Sequence, residues 1–274
     1  MYAISKTTEN VLARPFIKMG ARVRFGEPEI PRWSGREIRP IALDVRNDRH
    51  GEYFLIGKRA DVSVEILEVQ PRDRHLVLLA RVPEGLKEVK SRFLLGHDER
   101  HWFVAAIPER SPVSTVWEAK QALKPLPIRW REHRIRSKNR NDRSNEISIR
   151  QGEWFFVPVM NITVSDWLVR KHEPLVRGAG SKPHVCQELY RVGGETVYVN
   201  PGHNRVLSVA QYSRLSDSAR TLPGWRTMVR NPRVFVRGTV RHSDHKTIFL
   251  EGWHEVLMNT ENNAAAMRNV AFLD

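Results

Sequence analysis

The sequence predicts a mainly β fold, a β-rich α+β chain whose antiparallel sheets form a barrel or a sandwich, with one or two short helices. Three observations predict it. Short runs rich in β-branched and aromatic residues recur, separated by Pro, Gly or polar punctuation. The intervals between the runs are too short for parallel crossovers, which need a dozen or more residues. No repeat of fixed period points to a solenoid instead.

Taken in order, "GARVRF", "PIALDVRND", "GEYFLIGK", "VSVEILEV", "HLVLLARV" and "HWFVAAI" read as strands. Alternation in the fourth sets Val62, Val64, Ile66 and Glu68 on one side and Ser63, Glu65, Leu67 and Val69 on the other. The second side is partly polar, as in a sheet with one solvated face. "SPVSTVWEAKQALKPL" interrupts the pattern: Ser114 or Thr115 caps a helix running to about Lys124, and Pro125 and Pro127 stop it. Residues 128–150 are dense in arginine and poor in apolar residues, and read as an exposed loop or long hairpin arm. Strand patterns return in "GEWFFVPV", "ETVYVN", "RVFVRGTV" and "KTIFLEGWHEVLM". "VLSVAQYSRLSDSAR" reads as a helix ending near Arg220, and the tail after Met258 as a short helix or a loose end. The chain thus divides into a β-rich region at 1–127, a basic arm at 128–150 and a second β-rich region at 151–274, as two domains or one continuous fold.

Composition narrows the function. No apolar stretch approaches eighteen residues, so no transmembrane helix is expected and no membrane partner. "MYAISKTTENVLARPFIKMG" lacks the compact apolar segment of a secretory signal. The single cysteine, Cys186, excludes an intrachain disulfide framework and fits a reducing, cytoplasmic setting. Lys and Arg total 45 against 31 Asp and Glu, a net charge of +14, which draws in polyanions. The expected partner is nucleic acid, DNA or RNA, alone or with other proteins of a nucleoprotein complex. Arg129, Arg131, Arg134, Arg136, Lys138, Arg140 and Arg143 of the arm would meet phosphate. So would a strand face on which Arg233, Phe235, Arg237, Thr239 and Arg241 alternate with apolar Val234, Val236, Gly238 and Val240.

A second reading comes from histidine. Four times an acid followed by basic residues or His precedes an apolar strand: at Asp48-Arg49-His50, Asp73-Arg74-His75, Asp98 to His101, and Asp244-His245-Lys246. Such clusters suit hairpin turns, because Asp bonds its own backbone nearby. Only the last two copies also carry a His before the acid, His97 and His242. If those two tips met, His97, Asp98, His101, His242, Asp244 and His245 would suit a metal- or His-dependent nuclease or phosphodiesterase. That reading alone involves a cofactor, a divalent metal; otherwise none is expected, and the sequence assigns no metal-ligand set.

"RHSDHK" resembles the end of the HxHxDH motif of the metallo-β-lactamase superfamily, which implies two bound metals. It departs from the motif where Val240 replaces the first His and a strand follows in place of a helix. Glu118 and Lys120, after Glu109, loosely match the (D/E)xK nuclease pattern, but on a helical segment. "GAGSKP", with Gly178, Gly180 and Lys182, is a flexible loop whose N–H groups and cation suit a phosphate.

Overall fold

The first strand runs fold back on one another as the short connections require. The computed structural model describes residues 6–27, 40–177 and 181–263. Helix α1 (Lys6–Lys18) leads into β1 (Val23–Gly26), β2 (Ile41–Asp48) and β3 (Gly51–Lys58), a sheet of order β1-β3-β2 with β1 parallel to β3. Next, β4 (Ser63–Gln70), β5 (His75–Glu84), β6 (Lys87–Asp98) and β7 (His101–Ile107) form an antiparallel meander. The two sheets face each other: Ile41, Leu43, Phe54 and Ile56 pack with Leu76, Leu78, Phe93 and Leu95, and Phe16 and Met19 close one side. Helix α1 carries no clear strand or helix signal in sequence; burial of Phe16 selects it.

The far face of the meander is also covered. Val77, Leu94 and Ala105 pack under α2 (Val116–Ala122) through Val116 and Ala119. Burial on both faces explains why Leu76 to Ala80 is continuously apolar instead of alternating. The alternation expected in β4 fails for a local reason. A register shift between Ile66 and Glu68 turns Val69 toward the first core with Val64 and Ile66, and Leu67 toward the second.

One contact within the meander sets a strict size limit. Gly96 pairs with His75, and a methyl group at Gly96 would fall within 3.0 Å of three atoms of the buried His75 ring. Gly96→Ala is expected to lower stability by about 1–3 kcal/mol in urea unfolding, the cost of overpacking a core that cannot give way.

Thr115 caps α2 in a capping box with Glu118, as the sequence suggests. Pro125 and Pro127 do end it, but Pro127 sits in the first turn of a new helix, α3 (Leu126–Arg131), where proline is tolerated. Residues 128–150 are accordingly not a loose arm. Ile128 is fully buried against Phe155 and Val157, Ile135 is buried, and Lys124 Nζ meets both Glu132 oxygens at 2.7 and 2.9 Å inside the protein. These few anchors were hidden in sequence by the arginines around them.

The remaining strands are β8 (Ile149–Gln151), β9 (Trp154–Pro158), β10 (Arg170–Leu175), β11 (His184–Val192), β12 (Glu195–Asn200), β13 (Arg205–Ser208), then α4 (Val209–Ser213), α5 (Asp217–Arg220), β14 (Arg226–Arg230), β15 (Arg233–Arg241) and β16 (Ile248–Met258). Six of them make a sheet of order β10-β11-β15-β16-β9-β8. Strands β13-β12-β14 form a small separate sheet, an excursion between β11 and β15. The helix expected over residues 206–220 is split, because pairing with β12 draws 205–208 into a strand before Ser208 caps α4. The chain is mainly β and sandwich-like, and the described residues form no closed barrel. Among the described residues no helix is long and apolar enough to cross a membrane. Glu261–Asn263 form a 3-10 turn; residues 264–274 of the tail, and Gly178 and Gly180 of the glycine loop, lie outside the described residues.

Candidate metal centre

All four acid–His motifs lie at connections between antiparallel neighbours, and two of them meet. Pairing of β11 with β15 sets Val185 opposite Arg241, so His184 at the start of β11 stands beside His242, which follows β15. The turn toward β16 adds His245. The three rings stack, with centroids 4.2 Å apart for His184–His242, 4.6 Å for His242–His245 and 5.7 Å for His184–His245. All three are buried, and one nitrogen of each lies within 4.8 Å of the others.

No protein group hydrogen-bonds Nδ1 or Nε2 of His184 and His245, or Nε2 of His242; His242 Nδ1 accepts the Asp244 backbone N–H at 3.2 Å. An unsatisfied buried polar atom costs about 1–3 kcal/mol, and one ion would take one nitrogen from each ring, three of the five. Burial, reinforced by His242 and His245, pushes His184 down to about 3. Burial and then His242 bring His245 to about 4, and burial lowers His242 as well. Near neutral pH the three are therefore neutral imidazoles, the form that ligates metal. A tetrahedral ion with nitrogens at about 2.0–2.1 Å needs them roughly 3.3 Å apart, so binding would turn the rings out of their stacked arrangement and draw the nitrogens together.

Gly152, in the turn between β8 and β9, roofs the cluster at φ 57°. A Cβ there would lie 2.8 Å from His245 Nε2 and 3.6 Å from His184 Nε2. Backbone approaches the imidazoles because no side chain intervenes.

The hairpin tip between β6 and β7 arrives from the other sheet. Glu99, at φ 51°, accepts the backbone N–H of Lys246, pairs with Arg143, and places Oε2 3.9 Å from His245 Nδ1. A non-glycine residue in this region carries strain that the surroundings must hold, as at many functional sites. Asp98 pairs with Arg143 and, at 3.1 Å, with Arg150. His101 is oriented by Glu52: its Nδ1 lies 2.6 Å from Glu52 Oε1, while Trp102 N donates to the other oxygen at 3.0 Å. His101 Nε2 then faces Asp244 Oδ1 at 4.0 Å. Burial is the largest single influence on Asp244 and opposes its ionisation, but hydrogen bonds from Lys182, at 2.6 Å, and Ser243, with the charge of Lys182, together outweigh it and hold the carboxyl below its usual range. A cavity of about 120 Å³ opens here, with Asp98, His101, Arg150, Gly152, Asp244 and His245 among its walls.

Of the residues the sequence singled out, Asp98, His101, His242, Asp244 and His245 come together. His97 does not: its ring lies edge-on to Trp102 at 4.9 Å, on the side where burial and Arg74 lower its pKa. His184, Glu52 and Gly152 were not singled out, since nothing local marks them and only strand pairing brings them in; Glu99 belongs to the Asp98 to His101 turn but did not stand out as a site residue. The (D/E)xK candidates separate, Glu118 into the α2 cap and Lys120 to Asp73 at 3.1 Å.

The basic residues divide into two groups. Arg143 is committed to Asp98 and Glu99, and Arg140 sits half-buried with Nε 3.4 Å from the Ile135 carbonyl. On β15, Arg233 pairs with Glu255 at 2.8 Å and Arg237 with Glu188. Phe235 is buried beside Tyr190, at 6.0 Å between centroids, and Arg237 lies over Trp253 at 4.7 Å. That face is partly neutralised, and its ring is core. Arg241, Arg129, Arg131, Arg134, Arg136 and Lys138 remain exposed. No family model, no curated protein and no solved structure matches the chain.

Proposed function

We propose that the protein is a metal-dependent phosphodiesterase, a nuclease, with one divalent transition-metal ion on His184, His242 and His245. The observation that carries this is the cluster of buried, neutral imidazoles with unbonded nitrogens, one of which, His245, also lines the adjoining cavity. Imidazole ligands suit zinc and its neighbours in the first transition row. Three protein ligands, not four, is the pattern of catalytic zinc sites, which keep a position for water. Neutral ligands leave the ion its full charge, enough to bring bound water to a pKa of about 7.

The chain's own groups complete the chemistry. His101, fixed through Nδ1 by Glu52, presents Nε2 at the cavity and is the proton carrier for the leaving oxygen. Glu99 faces Nδ1 of His245 and orients that ring, as carboxylates behind metal-bound histidines do. The net charge of +14 favours an anionic substrate.

The test is cleavage of end-labelled DNA and RNA by chelator-treated protein, before and after adding Zn²⁺, Co²⁺, Mn²⁺ or Mg²⁺. Cleavage should return with a transition metal. His101→Gln should slow it by about 10²–10⁴-fold with metal content unchanged. Full metal loading without hydrolysis of either nucleic acid would rule out the nuclease reading.

A further inference from the structure

We infer that residues 126–138 form a docking surface for single-stranded nucleic acid, on which Trp130 stacks against an unpaired base. Trp130 is 66% exposed, an unusual position for a side chain that normally buries most of its area. In the same segment Arg129, Arg131, Arg134, Arg136 and Lys138 are all exposed, and Leu126, one helical turn before Trp130, is 46% exposed. Glu132 is the sole acid in this stretch, and it is buried against Lys124, so it neutralises none of the surface cations. None of the five pairs with a carboxylate among the described residues, in contrast to Arg143, Arg233 and Arg237.

The surface is also held in shape. Ile128 and Ile135 are buried beneath it, and the backbone runs through α3 into 3-10 turns at Glu132–Arg134 and Ser137–Asn139. Cations fixed in this way lose less freedom on binding than those of a flexible arm. Four of the five are arginines, which grip phosphate with two bonds and stack on bases. An exposed ring among unpaired cations is the arrangement that holds unpaired strands: the ring takes a base face and the cations follow the backbone. An exposed indole also serves protein interfaces and membrane surfaces, so binding to anionic vesicles is one arm of the test.

This inference deepens the nuclease reading by naming the unpaired strand as substrate, and it rests on that reading for the biological setting only. Binding is therefore measured on metal-free protein, so failure of the metal centre and failure of this surface are seen separately. The measurement is fluorescence anisotropy with one labelled oligonucleotide, as single strand and as duplex, between about 50 and 200 mM salt. Trp130→Ala is expected to weaken single-strand binding about 10-fold, within the range for loss of one base stack, and to change duplex binding little. The triple variant Arg129→Gln, Arg131→Gln, Arg134→Gln should weaken both and reduce the single-strand salt slope by about 2, at roughly 0.7 per phosphate contact. Circular dichroism confirms that each variant is folded. Unchanged single-strand affinity in Trp130→Ala would overturn the inference. So would binding to vesicles of anionic phospholipid with none to either oligonucleotide.

Discussion

Replacing His184 by alanine is expected to cost the protein its metal and its hydrolytic activity together. Each of the three imidazoles supplies one ligand atom, and no fourth His, Cys, Asp or Glu among the described residues joins the cluster to take over. Loss of a partner behind a ligand already costs about 10–100-fold in metal affinity, so loss of a ligand should exceed 100-fold. Without the ion the attacking water returns from a pKa of about 7 to its bulk value, and the rate should fall by 10³-fold or more. The control is His97→Ala. It removes the same side chain type from the β6–β7 hairpin, whose tip reaches the site, but from a ring that packs on Trp102 outside the cluster. Its metal content should equal the wild type's. Metal quantification and cleavage assays on both variants check this, and equal metal loss in the two would mean that general loss of folded structure, not ligation, is being measured.

The second large effect is expected at Gly152. Gly152→Ala places a methyl group 2.8 Å from His245 Nε2, in the space the ion's ligands share. The same change imposes a left-handed conformation on alanine, which costs about 1–2 kcal/mol wherever it is made. Gly85→Ala separates the two contributions, because Gly85 has a similar φ of 62° with nothing within 4 Å of the added Cβ. Both variants should lose thermal stability from the left-handed backbone, Gly152→Ala more because of its clash with the buried His245, and Gly152→Ala alone should lose metal affinity, by about 100-fold, the upper end of what disturbing a ligand from outside produces. Metal titration with a colorimetric chelator as competitor reads the difference.

Much of the fold was legible because burial leaves a pattern. Strands β2 to β5 and β7 each have a face, or both, in the core, and their apolar runs mark them. Strands without such a face were missed, and so were β6 and β11, whose core residues Phe93 and Leu95, and Cys186 and Leu189, stand among charged and polar neighbours. All five residues of β14 are exposed, and β10 is an edge strand of charged residues with Pro174 inside it, composition that protects an edge and erases the strand signal. The basic segment misled in the opposite direction: charge density concealed Ile128, Ile135 and the buried Lys124–Glu132 pair.

The site was legible only in part. The repeated acid–His turns identified two hairpin tips, and the extra His in each drew attention to them. Whether they met depended on contacts such as Glu99 to Lys246, across 147 positions, which no local pattern encodes. His184 stands alone in "KPHVCQ" and becomes a candidate ligand only once β11 pairs with β15.

The most direct measurement is metal analysis joined to X-ray absorption at the metal edge, on protein purified without chelating resin. The account predicts about one transition-metal ion per chain, with three imidazole nitrogens at about 2.0–2.1 Å and a lighter oxygen ligand, all lost in His184→Ala. Protein that takes up no ion even when zinc, cobalt and nickel are supplied, or an ion whose spectrum is the same in His184→Ala, would contradict it.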